Sequence, residues 1–200
     1  IASIYPDMTT KEKRDDLELL ILFDRSGSQS GWPLQKQKEA AITLINQLGN
    51  GDDLQVIVFD NVKDFVFPEM VPASSTNKET AINAINAVTA RGGTELLGAM
   101  KSALAEPLGG KHRIYAFMTD GFITNEQAIL DELKSTDQDL QVFTFGMGNS
   151  LNRYFLEETA KIGNGFATAV TQNESAEEYA MLAWERVTGA QLDNITASFK

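Results

Sequence analysis

Cysteine is absent from the 200 residues, which rules out disulfide frameworks, thiolate zinc sites and cysteine nucleophiles. Long apolar runs are missing too. No stretch approaches the roughly 18 consecutive apolar residues of a membrane span, and the start at Ile1 carries no basic-then-apolar leader. Positive charge is scarce: 17 Lys and Arg stand against 28 Asp and Glu. The resulting net charge of −11 repels phosphate backbones and anionic membrane surfaces, so neither nucleic acid nor direct membrane insertion is expected. Histidine occurs once, and Lys111-His112-Arg113 reads as the solvated start of a strand with no serine or acid placed to pair with His112. Neither a G-x-x-x-x-G-K-[ST] phosphate loop nor a G-x-G-x-x-G fingerprint is present. The missing initiator Met reads as a piece of a larger multidomain protein.

What remains is 42% apolar, enough for the buried core of one domain. Residues 1–16 are polar, charged and without period, a lead-in or linker. Leu17–Phe23 (LELLILF) is almost continuously apolar apart from Glu18, the pattern of a strand covered on both faces. Comparable runs follow at Leu54–Phe59, Ile114–Met118 and Leu140–Phe145. Between them the period becomes helical. Pro33 suits a first turn, Leu34, Ala41, Leu44, Ile45 and Leu48 make one face, Gln35 to Glu39 the wet side, and Gly49 the end. Ala81–Val88, Leu96–Ala105, Gln127–Leu133, Leu151–Ile162 and a stripe of Ala176, Tyr179, Ala180, Ala183 and Val187 also read as helices.

Alternating strands and helices predict an α/β fold: a doubly wound, mostly parallel central sheet with helices on both faces. One antiparallel edge strand is expected at Asp64–Phe67, too close to the second strand for a crossover helix and reached through a turn at Asp60 and Asn61. Residues 190–200, with Ile195, Ala197 and Phe199 at alternate positions, read as the start of a following strand.

In such sheets ligands sit beyond the carboxyl ends of the strands. The first buried run ends in Asp24-Arg25-Ser26-Gly27-Ser28 and the third in Thr119-Asp120-Gly121, while Gly92-Gly93-Thr94 opens a helix between them. If the chain stays extended past the first strand, Asp24, Ser26 and Ser28 turn three oxygens toward one point, joined by the Thr94 hydroxyl and the Asp120 carboxylate. Two acids and three hydroxyls suit a hard cation of Mg²⁺ type, with Mn²⁺ or Ca²⁺ as alternatives. So few charged ligands leave an open, electrophilic position for a carboxylate from another molecule. Glu95 reads as a first-turn acid favoured by the helix dipole. Trp32 is expected to lie just past this loop.

In order and spacing, D-x-S-x-S at Asp24, Ser26 and Ser28, then Thr94, then Asp120 resembles the metal-ion-dependent adhesion site of von Willebrand factor A domains. The resemblance covers about residues 17–189 and implies a Rossmann-like sheet with the metal on its upper rim. It implies Ser26, Ser28 and Thr94 as direct ligands and Asp24 and Asp120 acting mainly through water. The stretches DRSGSQSG, RGGTELLGAM, FMTDG and VFTFGMGNSLNRYFLEETAKIGNGFATAV are similar to the A domains of inter-alpha-trypsin inhibitor heavy chains and their bacterial relatives, which follow a vault-inter-alpha-trypsin domain. Gln29 replaces the usual Met, and Glu95 stands where a neutral residue is commoner. The implied function is metal-dependent binding of an Asp or Glu carboxylate on a protein partner, at the surface of or outside a bacterial cell. The alternative is an intracellular scaffold of a chelatase or ATPase assembly. An enzyme is not expected: a Mg²⁺-dependent phosphatase with Asp24 as nucleophile needs a second acid two residues on, where Ser26 stands.

Overall fold

The computed structural model describes residues 15–123, 125–136 and 140–188. Residues 1–14 of the 1–16 lead-in and the anticipated strand at 190–200 lie outside them. Eight consecutive buried residues form β1, Leu17–Asp24. Its side chains alternate between two apolar layers: Leu19, Ile21 and Phe23 enter one, Leu20 and Leu22 the other. A strand buried on both faces must be central, and β1 is paired in parallel with β2 (Asp53–Phe59) on one side and β5 (His112–Thr119) on the other. Beyond β5 lie β6 (Gln141–Met147) and β7 (Ala167–Val170), also parallel. The edge strand β3, Lys63–Phe65, folds back antiparallel on β2 as predicted. A second antiparallel piece, β4 at Val71–Pro72, was not anticipated. The order along the sheet is β3-β2-β1-β5-β6-β7, with β4 also on β2.

Among the described residues six α-helices cover the faces: α1 (Trp32–Gln47), α2 (Ser75–Ala87), α3 (Leu96–Ala105), α4 (Glu126–Ser135), α5 (Arg153–Ile162) and α6 (Ala176–Thr188). Helices α1, α2 and α6 pack on the layer of Ile21 and Phe23; α3, α4 and α5 pack on that of Leu20 and Leu22. None of the described helices is long and apolar enough to cross a membrane. Helix α2 starts six residues before its expected boundary. Its first turns are polar, and Ser74 caps it by accepting a hydrogen bond from the Asn77 amide at 3.2 Å.

Two polar residues assigned to water are instead buried. Arg113 is only 2% exposed, because its guanidinium meets the Glu18 carboxylate at 2.6 Å and donates to the carbonyl of Glu106 at 2.7 Å. Glu18, the break in the first apolar run, is 1% exposed and also accepts from the Gly109 amide at 2.7 Å. Gln37 is buried as well, within the expected wet side of α1.

The sheet order changes direction between β1 and β5: the chain from β1 runs to β2 on one side, and β5 lies on the other. That switch point opens a crevice at the carboxyl ends of the strands. Asp24 ends β1 and Asp120 follows β5, so both aspartates border it.

Candidate metal centre

Beyond Asp24 the backbone is still extended at Ser26 but no further. It closes into a single 3-10 turn at Gly27–Gln29, with the Gln29 amide donating to the Ser26 carbonyl at 3.0 Å. The turn still gathers oxygens. One Asp24 carboxylate oxygen accepts from the Ser26 amide at 2.7 Å, the other from the Thr119 hydroxyl at 2.7 Å. The hydroxyls of Ser26 and Ser28 lie 3.0 Å apart. Ser26 is buried and Ser28 exposed, so the pair runs from the interior to the surface.

Asp120 is buried, and its carboxylate accepts from the Phe122 amide at 3.0 Å. Gly121 makes that turn with φ of +76°; a Cβ there would press on Asn152 at 3.3 Å. Burial pushes the Asp24 carboxyl up to about 6 despite its hydrogen bonds from Ser26 and Thr119, and the charge of Asp120 pushes the same way. Among the described residues no lysine or arginine forms an ion pair with either aspartate. Two neighbouring acids are thus taken out of water with no cationic side chain between them, an arrangement whose cost a bound cation would offset.

Thr94 is half-buried in the loop before α3, and its hydroxyl makes no hydrogen bond to the other four residues. Its loop is nevertheless stitched to theirs. The Gly27 amide donates to the Gly92 carbonyl at 3.0 Å and the Arg91 amide to the Arg25 carbonyl at 2.7 Å. The five predicted residues therefore occupy one rim, four in or beside a hydrogen-bonded cluster and Thr94 on a loop fastened to it. Among the described residues no three His, Asp or Glu side chains form a ready-made metal cage. Any metal held here depends on hydroxyl oxygens, and the donor set, two carboxylates and three hydroxyls, fits a hard cation.

Glu95 serves α3: it is the N-cap residue and accepts from the Gly98 amide at 3.2 Å. The half-buried Trp32 donates to Asn149 at 3.1 Å across the rim. Gln29 faces Gln37 of α1, and with its amide nitrogen turned inward Gln37 donates to the carbonyls of Asp24 at 3.0 Å and Met118 at 3.3 Å. This ties α1 to the ends of β1 and β5.

Sequence reasoning missed Thr119 and Asp60. Thr119 precedes Asp120 directly, but only its contact with Asp24, 95 residues away, shows its part. Asp60 follows a buried strand just as Asp24 and Asp120 do, and the same rule reaches it; it read instead as a turn residue. It is 3% exposed and holds both Arg25 and Arg91. Burial would raise its carboxyl, but hydrogen bonds from the Val62 amide, Arg91 and Arg25 outweigh burial and lower it to about 2.

A doubly wound, mostly parallel sheet with acids and hydroxyls at the carboxyl ends of its strands defines an α/β domain of the open-sheet class. A sequence profile of the von Willebrand factor type A domain matches residues 17–169, and the chain belongs to that family. Von Willebrand factor A domain-containing protein 5A of Mus musculus is 25% identical over 211 residues, covering all of this chain; the chain spans 27% of that relative's length. Among solved structures, a von Willebrand factor type A protein from Catenulispora acidiphila superposes with a TM-score of 0.73 at 19% identity, over 85% of this chain and 42% of that one. Manganese-loaded Plasmodium vivax TRAP protein gives 0.65 at 19%, over 81% and 71% respectively. These structural likenesses establish the fold.

Proposed function

We propose that the chain is a protein-binding module that recognises a carboxylate of its partner through one divalent cation, Mg²⁺ first among the candidates. The observation that carries this reading is the pair of buried acids at the sheet's switch point, Asp24 and Asp120, with no basic side chain among the described residues paired to them and with the Ser26 and Ser28 hydroxyls leading outward from Asp24. A small hard cation bound by these oxygens would supply an electrophilic position that an incoming Asp or Glu completes. Thr119 and the Ser26 amide fix the orientation of Asp24. The Phe122 amide does the same for Asp120. Ser26, Ser28 and Thr94 contribute neutral oxygens, which keep the cation's charge only partly spent. The manganese in the Plasmodium vivax TRAP structure is consistent with a cation on this fold. The Thr119 hydroxyl, which donates to the Asp24 carboxylate, is buried away from any incoming molecule, so the reading is binding and not catalysis.

Calorimetric titration with Mg²⁺ or Mn²⁺ tests it. Binding by the unaltered chain should be abolished or greatly weakened by Asp24→Ala and by Thr94→Ala, each with its circular dichroism spectrum retained. Equal metal affinity in both variants and the parent would sink the assignment. The partner step is tested with a carboxylate-bearing peptide in the presence and absence of chelator.

A further inference from the structure

Three loops meet on one side of the rim: the turn after β1, the β2–β3 connection, and the loop between α2 and α3 that carries Thr94. One side chain joins all three. Asp60 accepts from Nε of Arg25 at 2.9 Å and Nε of Arg91 at 2.8 Å through one oxygen, and from the Val62 amide at 2.8 Å through the other. Arg25 reaches on to Asp64 at 2.6 Å. Backbone bonds follow the same path: the Glu95 amide donates to the Asp60 carbonyl at 2.7 Å and the Arg25 amide to the Phe59 carbonyl at 2.9 Å. Asn61 adds its side chain, accepting from the Gly93 amide at 2.7 Å. Gly92 sits at φ +69°, and a Cβ there would come within 2.6 Å of the Asn61 side-chain oxygen. The loop is thus pressed against the β2–β3 turn with no room for a side chain between them.

Arg25 and Arg91 flank the candidate ligands in sequence: Arg25 lies between Asp24 and Ser26, and Arg91 lies three residues before Thr94. Their common acceptor therefore fixes the separation of two ligand-bearing segments that are otherwise 65 or more residues apart in the chain. Thr94 makes no hydrogen bond to the other candidate ligands, so its position depends on how its loop is fastened.

We infer that Asp60, gripping Arg25 and Arg91, is the positioning residue that holds Thr94 against Asp24, Ser26 and Ser28 before any cation arrives. This rests on the metal-binding reading and deepens it. A rim assembled in advance spends less of the cation's binding free energy on ordering loops.

Simple electrostatics and the clamp predict opposite signs at Arg91. Removing a positive charge near a cation site by Arg91→Gln would strengthen metal binding through the field alone, whereas loss of the clamp weakens it. The 200-residue chain, Asp60→Asn and Arg91→Gln are titrated with Mn²⁺ by calorimetry, and amide hydrogen exchange is followed by NMR without metal. Asp60→Asn should weaken Mn²⁺ about tenfold, as loss of ligand-supporting residues does. Arg91→Gln, more exposed, should weaken it about threefold. In both variants the amides of Gly27, Gly93 and Glu95 should exchange faster while those of Leu20 to Phe23 keep their protection. If Asp60→Asn does not fold, Arg91→Gln alone decides by its sign. Parental or tighter Mn²⁺ binding by Arg91→Gln overturns the clamp while leaving the metal reading standing. A parent chain that takes up no Mn²⁺ overturns the metal reading, and the clamp with it.

Discussion

Asp60 and Asp24 show how two aspartates at equivalent strand ends are driven apart by their surroundings. Both are buried, but Asp60 faces two guanidinium groups and an amide whereas Asp24 faces hydroxyl and amide donors and a second acid. The folded-state value of Asp60, about 2, lies below its ordinary 3.8. Its contribution to stability is therefore complete above about pH 4 and is lost as pH falls through 2. Asp60→Asn removes that dependence. Urea unfolding midpoints of the parent should fall more steeply than those of the variant between pH 4 and pH 2, and parallel curves would contradict the ion pairs seen here. The neutral donors around Asp24 do not offset its burial, and its carboxyl rises.

Elements are joined by contacts that no single element reveals. The Glu18–Arg113 pair clips β1 to β5 at the end of the sheet opposite the rim. Glu18→Gln keeps the shape but leaves the buried Arg113 charge uncompensated, and should cost about 3–5 kcal/mol in urea unfolding. Replacing both residues by Leu and Met should recover only part of this. The Gly109 amide and the carbonyls of Glu106 and Pro107 would then lose their partners. Helix α6 presents the expected small residues, Ala176, Ala180 and Ala183, to the core, but it is also pinned by Trp184, 8% exposed, and by Arg186 stacked 4.3 Å over the Phe166 ring. Trp184→Ala should therefore lower stability by about 3–5 kcal/mol. A loss below about 1 kcal/mol would mean that the alanine stripe alone seats the helix.

Over the whole molecule, the cation would be bound only by the folded chain, because its oxygens come from three segments brought together by the sheet. Mass action then adds about 2.7 kcal/mol of stability at a concentration 100 times the dissociation constant. For a domain of this size that is a rise of about 5–10 °C in Tm. Chelator should reverse the rise and leave the chain folded at room temperature, since the two apolar layers contain no candidate ligand. A Tm indifferent to millimolar Mg²⁺ and to chelator would count against a formed site. The net charge of −11 acts in the same direction, favouring cations near the rim and disfavouring anionic surfaces.

The central strands and the apolar faces of the helices are legible in the chain alone, because continuous runs such as Leu19–Phe23 and the 3.6-residue spacing of Leu34, Ala41, Leu44 and Ile45 each bury in only one kind of structure. The spacing of Asp24, Ser26, Ser28, Thr94 and Asp120 is legible for a related reason: the topology of an open parallel sheet sends residues after buried strands to one rim. Strand β7 escaped notice, since Ala167, Thr168 and Ala169 are half-buried and carry little apolar contrast. So did the polar first turns of α2, which are held by a cap and not by an apolar face. The fates of Arg113, Gln37 and Asp60 could not be read locally, because a charged or amide side chain is buried or solvated according to partners that lie 95, 8 and 31 to 35 residues away. Sequence determined which oxygens stand at the strand ends; tertiary structure decided which acids meet arginine and which meet only neutral donors, because charge compensation depends on distance in space and not along the chain.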